Sequence, residues 1–355
     1  MNKKKVALGL SGGVDSAVAA RLLLDQGYDV SAIFLECWSS PGCRADQDRQ
    51  DALKVAAQLE IPFQVLDFKQ VYHQQVIKRF IREYQQGLTP NPDVWCNQVI
   101  KFGLFYDWAR QNSFKYLATG HYARIGQVEG RLSLLTPEDL HKDQTYFIHQ
   151  LQAAQLSHVL FPLQDLEKAE VRRLAEKNHF HVAGKKDSVG ICFVGDVNVK
   201  ELLKLELGEN PGQVVNSAGQ VIGAHQGLWF YTIGQRHGFT VQVNQHNIPP
   251  FYVIGKDAAK NQLIVGFGRE TTQDHFGMTD LQLIDTATKL VDTPNLKVRI
   301  RHTGQLLDCQ VKQIKDQLQV KLDQPERGIA PGQYAVFYHP LDQRHYRVLG
   351  GGLMI

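Results

Sequence analysis

Only five of the 355 residues are cysteine. An odd number spread through a long chain excludes a disulfide-stapled scaffold and fits a reducing compartment. Charge of one sign is lacking too: 39 Lys+Arg stand against 36 Asp+Glu, a formal net charge of +3. So small an excess does not announce a nucleic-acid binder. The segments 1–195, 196–270 and 271–355 are each close to neutral, so any RNA-binding surface is a local patch and not a basic domain. No run approaches the roughly 18 apolar residues that a membrane span needs. Met1–Lys5 followed by Val6–Val14 has the outline of a secretory leader, but Asp15 interrupts the apolar run and Ser11-Gly12-Gly13 would break its helix. The chain therefore reads as cytoplasmic, with no membrane partner. There is no internal repeat and no low-complexity tract, and 43% hydrophobic with 21% charged residues is an ordinary globular composition. The length accommodates two or three domains.

What is present begins with alternation. Short apolar runs at Val6–Leu10, Val30–Leu35, Phe63–Phe68 and Tyr116–Thr119 predict strands. Between them, Ala17–Asp25, Asp46–Leu59, Val71–Tyr84 and Val99–Arg110 carry helical spacing. Strands alternating with helices of this length predict an α/β domain with a parallel sheet over residues 1–195, whose ligands bind beyond the carboxyl ends of the strands. The character changes near Gly195. Short strand-like pieces (Gln213–Val215, Phe251–Ile254, Leu263–Val265) predict a small central domain over 196–270. Closely spaced strands from Leu281–Ile284 to Tyr346–Gly350 then predict a C-terminal β-barrel over 271–355.

Ser11-Gly12-Gly13-Val14-Asp15-Ser16 follows the first predicted strand and opens a helix. Two glycines let the backbone approach an anion, successive N–H groups form a nest for it, and the helix dipole adds positive potential. Ser11 and Ser16 add hydroxyl donors, and Asp15 suits a magnesium or an orienting role. No Gly-Lys-Ser/Thr follows, so this is not a Walker A loop. The same residues also suit a tight, capped strand-to-helix turn.

Asn91-Pro92-Asp93-Val94-Trp95-Cys96-Asn97 reads as a Pro-stiffened loop before the helix at Val99. Asp93 and Cys96 can face one site while Asn97 caps the helix. A thiol near a helix N-terminus is a candidate nucleophile, although a structural cysteine fits the same pattern. Cys192, in Gly190–Phe193 after Lys185-Lys186, is a second such cysteine, able to meet Cys96 in space for thiol–disulfide exchange. Cys37 and Cys43 lack the second Cys/His pair of a zinc site, and Cys309 alternates with Val311 as a core residue would. Gly120-His121 follows the fourth strand, at the sheet edge where ligands bind. Lys142-Asp143-Gln144 opens a helix and suits a phosphate or base contact, or an ordinary polar helix start.

With these pieces placed, nearly the whole chain resembles the bacterial tRNA-specific 2-thiouridylases of the PP-loop superfamily. Ser11–Ser16 carries the superfamily. Asn91–Asn97, Gly120–Ala123, Lys142–Ile148, Gly190–Phe193 and Gly227–Arg236 together carry the family. The resemblance implies a PP-loop nucleotide-binding domain of the adenine nucleotide α-hydrolase type, a small central domain and a C-terminal β-barrel. It implies a tRNA-uridine 2-sulfurtransferase that uses ATP and Mg2+, with ATP at Gly9, Leu10, Ser11, Gly12, Gly13, Val14, Asp15, Ser16, Leu35 and Gly120. By the same resemblance, the enzyme would adenylate the C2 oxygen of the wobble uridine. Cys192 would carry a persulfide, Cys96 would help liberate its sulfur or attack as nucleophile, and Asp93 would be the general acid/base. Asn91, Pro92 and Asp93 would touch the target base. His121, Lys142, Asp143, Gln144, Arg299, Ile300 and Gln333 fall at tRNA contacts, and the sulfur comes from an upstream persulfide carrier or a cysteine desulfurase. No metal-ligating residues are assigned. Ile300 stands where the family has an aromatic residue, Val189 where it commonly has Thr, and Leu35 where it commonly has Met. An amide-forming PP-loop ligase needs no cysteine pair, and a nucleotide-sensing RNA-binding module releases no pyrophosphate; either would separate from the thiolase on those grounds.

Overall fold

The fold was analysed in a computed structural model that describes residues 3–38, 44–187, 199–242, 249–315 and 317–355. Five parallel strands form the first sheet: β1 (Lys5–Gly9), β2 (Asp29–Glu36), β3 (Phe63–Asp67), β4 (Tyr116–Ala118) and, beyond the hairpin described below, Val159–Leu160. Successive side chains of a strand point to opposite faces. Val6 and Leu8 accordingly enter one core with Val30, Ala32 and Phe34, while Ala7 enters a second with Ile33, Leu35 and Leu117. Burial on both faces explains why these strands read as continuous apolar runs. Helices α1 (Val14–Asp25) and α2 (Ala45–Gln58), with Lys168–Lys177, cover the first core, and the helices Lys69–Gln85 and Pro92–Gln111 cover the second.

Two of those helices are longer than their periodicity suggests. The second starts at Pro92, seven residues before Val99, and passes through a π-helical stretch over Cys96–Leu104. Proline suits the first turn of a helix, where its missing N–H costs nothing. Asn91, not Asn97, is the cap: its side chain accepts from Val94 N at 3.4 Å, whereas Asn97 lies inside the helix and donates to Asp93 O at 2.8 Å.

The central segment forms a five-stranded sheet over its own core of Val214, Leu228, Tyr231, Val253, Leu263 and Val265. The C-terminal strands Thr272–Leu283, Gln317–Arg327, Leu307–Ile314, Lys297–Arg299, Tyr334–Pro340 and Tyr346–Met354 pair in that order, and the first pairs with the last to close a barrel. One feature was not legible in the sequence. The hairpin β5 (Arg124–Val128) and β6 (Arg131–Leu135), contributed by the first segment, is joined to the barrel's last strand. Its turn, Glu129-Gly130, has positive φ at both residues, as a two-residue hairpin turn requires. That dipeptide between two alternating runs was the available signal.

Candidate active site

In the order β3-β2-β1-β4, the chain leaves β1 toward one side of the sheet and returns to β4 on the other. A crevice opens outside the carboxyl ends of the strands where such an order reverses. Ser11–Ser16 leaves β1 there, Gly120 and His121 leave β4, and Leu35 lies near the end of β2. Ser16 Oγ accepts from Ser11 N at 3.2 Å and donates to Gly13 O at 3.1 Å, which folds the loop over the start of α1. Gly13, the residue before the helix, offers no capping side chain, so α1 presents its first N–H groups to the crevice. Gly12 has φ +74°, and a Cβ there would lie 2.1 Å from Asp48 O. A Cβ on Gly120 would lie 2.9 Å from Ser16 N. Both glycines are fixed by close backbone approach.

An ionic frame that the sequence did not reveal surrounds this loop. Lys168 Nζ donates to both carboxylate oxygens of Asp15, at 2.6 and 2.8 Å, and lies 2.8 Å from Asp187. Tyr122 OH donates to Asp15 Oδ1 at 3.0 Å. Lys185 Nζ donates to Gly12 O at 2.9 Å, to Asp48 at 2.6 Å and to Asp51 at 2.7 Å. Asp187 also receives Lys142 at 2.7 Å and Arg172 at 2.9 Å. Burial alone would raise the Asp187 carboxyl, but hydrogen bonds from Lys142 and Lys168 outweigh it and hold the group down at about 2.

The Asn91–Asn97 stretch sits against the barrel. Gln333 Nε2 donates to Thr89 O at 3.0 Å, Asn91 Nδ2 donates to Gln333 Oε1 at 3.4 Å, and Trp95 Nε1 donates to Tyr334 OH at 2.8 Å. Pro92 is buried, Asp93 is partly exposed, and Cys96 is 0% exposed within the second core. A cavity of about 250 Å3 runs beside the same helix, lined by amides that include Asn97, Gln98, Gln150 and Gln282. Cys192, Val189 and the Gly190–Phe193 motif lie outside the described residues, as does Cys43. No disulfide joins any two of the described cysteines, Cys37, Cys96 and Cys309. Cys309 is buried in the barrel core, where burial pushes its thiol up to about 12.

The remaining residues singled out in the sequence divide by exposure. Arg299 and Asp143 pair with each other at 2.7 Å, Asp143 buried and the Arg299 side chain 11% exposed, and Thr145 N and Oγ1 donate to the same carboxylate group. Ile300 is 1% exposed in the barrel core, which is why an aliphatic residue serves there. Gln144 Oε1 accepts from Tyr122 N at 3.0 Å. His121 is buried, 2.7 Å from Thr119 Oγ1; burial, and then the nearby Lys101 charge, hold its imidazole neutral well below the usual histidine range. Lys142 keeps 40% of its side chain exposed. Among the described residues, no three His, Cys, Asp or Glu side chains are grouped to hold a metal ion, and no helix is long and apolar enough to cross a membrane.

Comparison with known proteins accounts for almost the whole chain. The family profile described as the tRNA methyl transferase HUP domain matches residues 4–196, the tRNA methyl transferase PRC-barrel domain matches 200–267, and the aminomethyltransferase beta-barrel domain matches 273–354. The chain is 42% identical to the tRNA-specific 2-thiouridylase MnmA of Limosilactobacillus reuteri (strain DSM 20016) over 346 residues, covering 94% of this chain and 92% of that one. It is 41% identical to tRNA-specific 2-thiouridylase MnmA 1 of Geobacillus kaustophilus over 350 residues, covering 95% and 93%. It is 40% identical to the tRNA-specific 2-thiouridylase MnmA of Enterococcus faecalis over 362 residues, covering 99% and 96%.

Proposed function

The chain belongs to the tRNA-specific 2-thiouridylase family, and from that premise we propose that it is a tRNA-uridine 2-sulfurtransferase, replacing the C2 oxygen of the wobble uridine by sulfur at the expense of ATP. The observation that carries the nucleotide half of this reading is the convergence of Ser11–Ser16 and Gly120 outside the carboxyl ends of β1 and β4, with the first N–H groups of α1 open to an anion. ATP sits on Gly9–Ser16, with Leu35 and Gly120 toward adenosine. A magnesium ion bound with ATP would supply positive charge against the departing pyrophosphate; Asp15 is the loop carboxylate that would face it, and Lys168 and Tyr122 fix the orientation of that carboxylate.

The uridine O2 attacks the α-phosphorus, forming an O2-adenylate and releasing pyrophosphate. That step turns a poor oxide leaving group into AMP. The terminal sulfur of a persulfide on Cys192 supplies the sulfur to C2, and AMP departs. The thiolate of Cys96 attacks the Cys192 sulfur, so that the S–S bond electrons pass to the transferred atom and a Cys96–Cys192 disulfide is left, which a thiol reductant then opens. Asp93, partly exposed beside this thiol in sequence, manages protons on the uracil ring, and Asn91, Pro92 and Asp93 bound the target base. An upstream persulfide carrier or a cysteine desulfurase reloads Cys192.

In the tRNA interface we assign direct contact to Lys142, whose side chain is 40% exposed, and to the neighbourhood of His121 and Gln333. Asp143, Arg299 and Ile300 act from inside: the buried pair and the barrel core hold the surface that the RNA meets. Gln144 orients the His121–Tyr122 turn by accepting from Tyr122 N.

The two chemical steps are separable. Cys192→Ser is expected to keep tRNA-dependent pyrophosphate release while losing 2-thiouridine formation, and Asp93→Asn to slow thiolation by about 100-fold or more, the usual scale of a general acid/base. A Cys192→Ser variant with full thiolation would remove the persulfide step.

A further inference from the structure

Asp15 is a liability in a phosphate site. It stands in the first turn of α1, beside the N–H groups that would hold the anion, and two like charges at such range repel. The structure answers this with one side chain. Lys168 Nζ takes both oxygens of Asp15, at 2.6 and 2.8 Å, and its side chain is only 12% exposed. The backbone of Lys168 is pinned independently, because its N–H donates to Asp139 Oδ2 at 2.9 Å at the start of helix Lys168–Lys177. The side chain therefore swings from a fixed point at the mouth of the crevice. Its third partner, Asp187, does not depend on it, being held also by Lys142 and Arg172. Lys168 can leave Asp187 at small cost. Lys185 is arranged differently: one of its three bonds goes to the Gly12 carbonyl and the others to α2, so it fastens the loop to that helix.

We propose that Lys168 is a phosphate-binding residue of the nucleotide site, one that stays on Asp15 and releases Asp187 when nucleotide enters, so that its ammonium lies between the Asp15 carboxylate and an ATP phosphate oxygen. The inference rests on the reading of Ser11–Ser16 as the ATP loop, and it adds the side chain that lets an acidic loop accept a polyanion. Asp187 is then the resting partner that holds the ammonium ready.

The test is calorimetric titration of the full-length chain with ATP and, separately, with adenosine. Wild-type protein sets the reference; if it binds no ATP, the nucleotide reading itself fails and takes this inference with it. Where wild type binds, Lys168→Met is expected to weaken ATP at least tenfold while adenosine stays within twofold, and Lys168→Arg to restore ATP to within about threefold of wild type. Asp187→Asn is expected to leave ATP affinity unchanged or tighter, since it frees Lys168. Equal losses for ATP and adenosine in Lys168→Met, or an Asp187→Asn variant as weak for ATP as Lys168→Met, would show a structural role only and overturn the proposal. Thermal midpoints without nucleotide confirm that each variant is folded, and Lys168→Arg keeps the test decisive if the methionine variant is not.

Discussion

Arg299 and Asp143 illustrate how much rests on single side chains far from the chemistry. The pair is 2.7 Å apart and almost fully enclosed, with the guanidinium 5.1 Å from the Tyr338 ring centre. Removing one member of a buried pair strands the other charge, which typically costs about 3–5 kcal/mol. Arg299→Met should lower stability by that order in denaturant melts, and Asp143→Asn should cost less because the amide still accepts from Thr145. Lys256 makes the opposite case. Its amine reaches across to Gly87 O at 2.9 Å, and burial holds it down at about 8. Because the folded pKa lies below the unfolded one, the unfolded chain holds the proton more tightly. The penalty is present in full below pH 8, and stability rises from there toward the unfolded value of 10.5. Lys256→Met should therefore be about 1–2 kcal/mol more stable than wild type at pH 7, the lost hydrogen bond allowed for, with the gap closing by pH 10. A constant gap across that range would contradict the assignment. At this scale, Gly12, Asp15 and Ser16 were legible because glycines and hydroxyls at fixed spacing mark a loop. Lys168, Lys185, Asp48 and Asp51 were not, since ion pairs that close over long sequence separations leave no periodicity to read.

At the scale of elements, the strand order does most to place the site. A reversal between β1 and β4 puts two loops side by side, and glycine at each is a steric requirement. Gly120→Ala would press a Cβ to 2.9 Å from Ser16 N, so the start of α1 must shift; Gly12→Ala adds a positive φ to a clash with Asp48 O. Both should weaken ATP at least tenfold in binding assays, and Gly12→Ala should also lower stability by about 2 kcal/mol or more, as strain and overpacking do. Gly219→Ala, a turn glycine with open space around it, should leave ATP affinity unchanged. The parallel sheet was readable because its strands are buried on both faces and bounded by helices of adequate length. The start of the helix at Pro92 was not, because Pro90 and Pro92 read equally well as loop-formers. The π-helical stretch from Cys96 has no hydrophobic period of its own to betray it.

For the whole molecule, the barrel supports the stretch around Asn91. Pro331 O accepts from Thr89 N at 2.8 Å, Gln333 and Tyr334 hold the Asn91 stretch, and the hairpin β5–β6 runs from the first segment into the barrel's sheet. A fragment ending at residue 195 would expose the faces that these contacts cover. It should fail to show a cooperative melt, whereas the full chain should lose its α/β and barrel signals together. Composition and turn spacing made three segments legible, but not the exchange of a hairpin between them, because strand partners in sequence order are the default expectation. The near-neutral net charge also takes on meaning here: four cations and four carboxylates meet around one loop, so charge is concentrated where it is used and not spread across a basic face.

Sulfur transfer to a wobble uridine has a direct readout. Purified protein, ATP, magnesium, a persulfide source and unmodified tRNA should yield 2-thiouridine at the wobble position by mass measurement of the nucleosides, with one AMP and one pyrophosphate for each sulfur inserted, and none of it with Cys96→Ser or Cys192→Ser that still folds. A wobble uridine whose mass is the same with and without the protein, or full thiolation by either cysteine variant, would contradict the account.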